Sequence, residues 1–163
     1  MKINRLELKN NVPVEYEDDI VFKDEHFNEY HVKDILDCHV KLTATEYGDF
    51  LSLKTFIKCK VLTMSAYSLK DVELPLKINE EILITDKEEL KDIYYFEKLP
   101  IIDIDHYIFS LIISSVPAKV VDKNEELPSS GEGYRILKED DFYKEKSSNK
   151  KSPFDVLDNL DLD

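Results

Sequence analysis

Two runs of alternating side chains flank a single glycine in the first half of the chain. Cys38, Val40, Leu42 and Ala44 share one phase, and His39, Lys41, Thr43 and Thr45 share the other. Residues 51 to 61 alternate again through Leu51, Leu53, Thr55, Ile57, Cys59 and Val61. A strand points successive side chains to opposite faces, so each run reads as a strand with one buried face. Gly48-Asp49 between them fits a two-residue hairpin turn that opens on glycine. With that loop, Val40 faces Ile57, Leu42 faces Thr55, Ala44 faces Leu53 and Cys38 faces Cys59. A slip of one residue would turn the apolar set toward water, so burial fixes this register over about 38–61.

A third alternating run, Val72 to Ile78, contains Pro75, which cannot donate to a ladder. An edge strand or a bulge is expected there. Residues 86 to 92 read as a polar turn or short helix. Ile104, Tyr107, Ile108, Leu111 and Ile112 recur at three- and four-residue spacing and predict one main helix over about 103–115. Asp103 or Asp105 can cap its first amides, and Val116-Pro117 ends it, because a residue before proline avoids helical angles. Sheet and helix each carry one apolar face. Packing the two together gives a two-layer α+β domain with an antiparallel or mixed sheet.

The chain has 163 residues, 42% apolar and 35% charged, with a net charge of −13. That is too apolar for full disorder and too charged for a membrane protein. No apolar run approaches the roughly 20 residues of a spanning helix. Met1 to Glu7 lacks the apolar core of a signal peptide. Two cysteines cannot build a disulfide framework, which makes the cytoplasm the expected compartment. Residues 1–121 carry most of the apolar pattern and read as the core domain. Residues 122–151 turn polar and hold Gly131 and Gly133, and read as a loop and linker. Residues 152–163 open with Ser152-Pro153 and place Phe154, Leu157 and Leu160 on one side, the pattern of a short amphipathic helix before an acidic tail. So short a helix needs a docking surface to persist.

The chain has no glycine-rich phosphate loop, nucleophile elbow, HExxH or CxxC. Cys38, His39 and Cys59 could be weighed as zinc ligands, but a structural site needs four, and His39 points away from Cys38. Two reduced core thiols are the simpler reading. Asp103, Asp105 and His106 sit at a helix start, where acids complement the helix dipole. The alternative is a divalent-metal hydrolase or nuclease built on these three. Glu25-His26 and Tyr30-His31 read as surface. The acidic runs Glu15-Tyr16-Glu17-Asp18-Asp19 and Glu139-Asp140-Asp141 serve solubility or attract a basic protein, as an acidic chaperone-like partner would. The acidic balance argues against unaided, sequence-independent nucleic-acid binding. The basic residues look dispersed, with one group at Lys144, Lys146, Lys150 and Lys151 that reads as linker.

Three segments, in order, carry a family resemblance. Thr63 to Val72 follows a strand and precedes the next, with Leu69 and Val72 in place. Asp103 to Pro117 is an acidic-start helix ending in an apolar-Pro pair. Ser152 to Leu160 is a short helix with its leucine positions kept. Together they resemble the YceD family, the large ribosomal RNA subunit accumulation proteins of bacteria and plastids. Ser65 stands at the family's usual Cys, and Tyr67 and Phe154 at its usual arginines. The resemblance implies a cytoplasmic, non-enzymatic ribosome-biogenesis factor that supports large-subunit ribosomal RNA synthesis or accumulation. It implies a ribosomal protein, an assembly factor or precursor RNA as partner. No catalytic residue, cofactor, metal, small-molecule substrate or membrane is implied. The contact surfaces expected on this basis are the Ser65, Tyr67, Ser68, Leu69 turn and the Pro153, Phe154, Leu157, Leu160 helix.

Overall fold

The computed structural model describes residues 1–23, 27, 31–122, 127 and 130–148. The expected helix over 152–160, with Pro153, Phe154, Leu157 and Leu160, lies outside them. The chain divides into two compact units, Met1–Asp122 and Lys123–Asp163.

The first unit is α+β. Its strands are β1 (Lys2–Asn4), β2 (Val14–Ile20), β3 (Val32–Glu46), β4 (Leu51–Met64), β5 (Asp71–Thr85), β6 (Tyr95–Phe96) and β7 (Ile101–Asp103), followed by helix α1 (Asp105–Ser115). Five strands form one mixed sheet in the order β2-β3-β4-β5-β6, and β1 pairs with β7 in a second, two-stranded sheet. Strands β2 to β5 are an antiparallel meander, and β6 joins the end of β5 in parallel through Ile84–Tyr95 and Thr85–Phe96.

From His39 to Glu46 the hairpin has the expected register. Val40 pairs with Ile57, Leu42 with Thr55 and Ala44 with Leu53. At its tip the Tyr47 amide donates to the Phe50 carbonyl at 2.9 Å. Gly48 takes φ +81°, which only glycine adopts without strain at the first position of such a turn. The register shifts between Leu36 and His39, where Asp37 sits at φ +51°. This bulge reverses the phase of alternation, so Ile35 is buried although Cys38 is buried too. Without the extra residue, Ile35 would face water. A second shift beside Lys33 does the same for Val32, which is 4% exposed.

Strand β5 runs well beyond the expected 72–78. Pro75, opposite Lys60, lies in the part of β5 that β6 does not cover, so its missing N–H leaves no ladder bond unmade. The segment after β5 contains a 3₁₀ turn at Glu88–Leu90. Helix α1 begins two residues later than expected because Asp103 still belongs to β7, where it pairs with Lys2. Asp103 nonetheless accepts the Asp105 amide at 3.2 Å, and Val116 leaves the helix at ψ 122° ahead of Pro117.

Tyr107, Ile108, Phe109 and Ile112 of α1 are buried in one cluster with Val40, Leu42, Leu53 and Ile57 of the hairpin. Phe109 packs on Phe22 and Phe27, with centroids 5.5 and 5.9 Å apart. Each fully buried Ile or Leu contributes roughly 1.5–3 kcal/mol, against about 0–1 kcal/mol for an exposed ion pair. The apolar face therefore holds the fold. The ion pair best placed to add to it is Arg5–Glu46, two-pronged at 2.9 and 3.0 Å, with side chains 10% and 13% exposed. It ties the turn after β1 to the end of β3.

The second unit contains helix α2 (Glu139–Ser148), inside the stretch read from composition as linker. The residues explain the difference. Glu139, Asp140 and Asp141 fill the first turn and Lys146 lies in the last, both favourable to the helix dipole. Lys144 pairs with Asp141 one turn earlier, at 3.9 Å.

Candidate functional site

The link from β4 to β5 is built from short polar side chains that replace absent ladder bonds. The Ser65 amide donates to the Lys70 carbonyl at 2.8 Å, and the Leu69 amide donates to the Ser65 carbonyl at 3.0 Å. The Ser65 Oγ accepts from the Tyr67 amide, and the Ser68 Oγ from the Lys70 amide, both at 3.3 Å. Serine suits these places because its hydroxyl can mimic a backbone acceptor two residues away. Ser65 is fully buried and sets the shape of the turn. Leu69 closes the turn at φ +60°, with its side chain 70% exposed. A left-handed branched residue costs about 1–2 kcal/mol, and burial of its own side chain returns little of that. Such strain concentrates where a surface is shaped for recognition.

The turn is anchored to the segment after α1. The Ala66 amide donates to the Val120 carbonyl at 2.8 Å. The Lys119 ammonium lies 4.9 Å from the centroid of the Tyr67 ring. Between turn and helix end opens a pocket of about 350 Å³. Ser65, Ala66 and Leu69 line one side and Ile113, Val116 and Pro117 the other, with His31 and Val32 nearby. Two of the three segments named from sequence, the Thr63–Val72 turn and the end of the Asp103–Pro117 helix, thus meet around one mainly apolar concavity. The contribution of Ile113, Val116 and Val120 was not foreseen. Its sequence signal is the apolar run that continues past Pro117 to Val120-Val121. A pocket of this lining accepts an apolar side chain.

The other constellations lie elsewhere in the first unit. Cys38 and Cys59 are both buried at 3% exposure and face each other across the hairpin. The Cys59 sulfur and then burial push the Cys38 thiol well above the ordinary range. His39 points to the opposite face, with Nδ1 2.7 Å from Asp19 and Nε2 2.9 Å from Glu17. Asp19, and more weakly Glu17, raise its pKa. Asp105 pairs with the Met1 amino group, while His106 lies 3.9 Å from Glu97. The Tyr107 hydroxyl donates to Glu97 at 3.1 Å, and burial and that carboxylate push it upward. Asp103, Asp105 and His106 do line one pocket together, where Asp103 accepts the Asp105 amide, but the Asp105 and His106 side chains are drawn to Met1 and Glu97. Among the described residues, no group of three or more His, Cys, Asp or Glu is placed to hold a metal ion, and no helix is long and apolar enough to cross a membrane.

No protein-family model, no curated protein and no solved structure matches this chain.

Proposed function

We propose that the chain is a non-enzymatic ribosome-biogenesis factor of the cytoplasm that supports large-subunit ribosomal RNA accumulation. It binds a ribosomal protein, an assembly factor or precursor RNA, and the β4–β5 turn is the docking surface for a protein partner. The observation that supports this reading is the meeting of turn and helix end around one apolar pocket. Leu69 stands strained and exposed at its rim. A rigid sheet carries the turn, so recognition costs little further ordering. Tyr67 and Ser68, both half-buried, add polar groups on the same turn.

The test is depletion in growing cells, followed by sucrose-gradient and ribosomal RNA analysis. Loss of large-subunit particles is expected, with rescue by the parent chain and not by Leu69→Asp. Unchanged particle and RNA profiles on depletion would contradict the reading.

A further inference from the structure

The basic residues that look scattered along the chain are collected by the register. On the solvent side of the five-stranded sheet, Lys41 pairs with Phe56, and Phe56 with Asn79. The next row sets His39 opposite Lys58, and Lys58 opposite Lys77. Lys54 and Lys60 flank the same face of β4. These lysines are exposed, and the Phe56 ring among them is 41% exposed.

Two features make this face unlike an ordinary solvated surface. Like charges directly opposite one another on neighbouring strands destabilise a sheet, and Lys58–Lys77 is such a pair. The chain also has 35 acidic side chains for 22 basic ones, so carboxylates are in ample supply. Yet Lys54, Lys58 and Lys77 form no ion pair among the described residues. Their neighbours are already balanced. Glu17 holds Lys41 at 3.0 Å, Glu17 and Asp19 hold His39, and Asp37 and Glu73 hold Lys60 at 3.5 and 3.6 Å. Glu81, directly opposite Lys54 in the register, accepts instead from the Ser52 hydroxyl at 2.5 Å.

We propose that this outer sheet face binds single-stranded nucleic acid, with a base stacked on Phe56 and phosphates held by Lys54, Lys58 and Lys77. An aromatic platform within a basic patch is how folded domains hold single strands without reading sequence. Alternate residues of β4 stand about 6.8 Å apart, so lysine, ring and lysine follow one another along the strand. An acidic polypeptide would satisfy the lysines but would leave the ring without a stacking partner. Glu15, Glu17 and Asp19 of β2 stand on the same face and repel phosphate, which confines contact to the Lys54, Lys58 and Lys77 side of Phe56. The inference goes beyond the docking turn: it involves none of that pocket's residues and stands or falls separately.

The test is fluorescence anisotropy with short labelled oligouridylate and oligothymidylate at low salt. Binding of either strand at roughly micromolar affinity is expected. Phe56→Ala weakens it about tenfold, and Phe56→Tyr retains it. Lys58→Gln with Lys77→Gln lowers the log–log salt slope by about 0.7 for each lysine. Lys77→Glu supplies a sharper readout: it abolishes binding while raising the melting temperature, because repulsion across the strands becomes attraction. Absence of binding, or parent-like binding by Phe56→Ala and the lysine variants, would overturn the proposal. So would equal competition by polyglutamate, which would assign the face to an acidic protein.

Discussion

The two faces of β4 are made from alternate residues of one segment, and they answer to different physics. Leu53, Thr55, Ile57, Cys59 and Val61 are almost wholly buried, and Lys54, Phe56, Lys58 and Lys60 are exposed. The inner face has few unmet demands. Its one hydroxyl in that run, Thr55, donates to the Glu80 carbonyl at 2.8 Å. The outer face leaves charges uncompensated and an aromatic ring in water. Adjacent positions in the chain can therefore carry stability and recognition independently, because the pleat separates them.

Substitutions can break this contrast, beginning with the largest effect. Ile57→Ala removes a fully buried side chain and leaves a cavity beneath the helix stripe. We expect a loss of about 2–5 kcal/mol in denaturant unfolding, whereas its exposed neighbour Phe56→Ala changes stability by about 0.5 kcal/mol or less. Similar losses at both positions would mean that the faces are not distinct. Gly48→Ala probes the turn that sets both faces at once. No side-chain clash opposes the new Cβ, so only the φ of +81° does. A loss of about 1–2 kcal/mol is expected, and a neutral result would place the register under the control of packing alone.

The smallest effect sharpens the outer face. Asp19 and Glu17 raise the pKa of His39 above its unfolded value, so protonation favours the folded state. That stabilisation is complete below about pH 6.5 and is lost as pH rises through the raised value. His39→Gln should therefore melt below the parent in mild acid and together with it in mild alkali. Lys58, opposite His39, works against the effect, and Lys58→Gln should widen the acidic gap. A gap independent of pH would remove His39 from the electrostatics of this face.

Much of this fold was legible in the residues, for reasons that differ by element. The hairpin was readable because Gly48 and strict alternation act together. The long β5 was read short because its pattern loses contrast from Asn79 to Glu81, before Ile82 and Ile84 restore it. Strand β2 was taken only as an acidic run. Its inward residues Val14, Tyr16 and Ile20 pair with Ala44, Leu42 and Cys38, and Asp18 interrupts the pattern. The bulge at Asp37 has no sequence signal beyond a tolerated left-handed aspartate. Helix α2 was hidden by polar composition, although its charges are ordered for a helix. In the β4–β5 turn, Leu69 was named from the sequence, whereas its sharing a pocket with Val116 and Val120 was not, since they meet it only through the tertiary fold. The lysine face followed from the same pairing rule that located the hairpin. It escapes a reading that follows charge along the chain instead of across it.

An NMR titration of the whole chain with oligouridylate, read at amides and methyls, tests the separation of faces most directly. We predict shifts concentrated at Lys54, Phe56, Lys58 and Lys77, with the Ser65–Leu69 turn and the Ile57 methyls unmoved. Shifts centred on the turn, or spread evenly over the surface, would contradict the account.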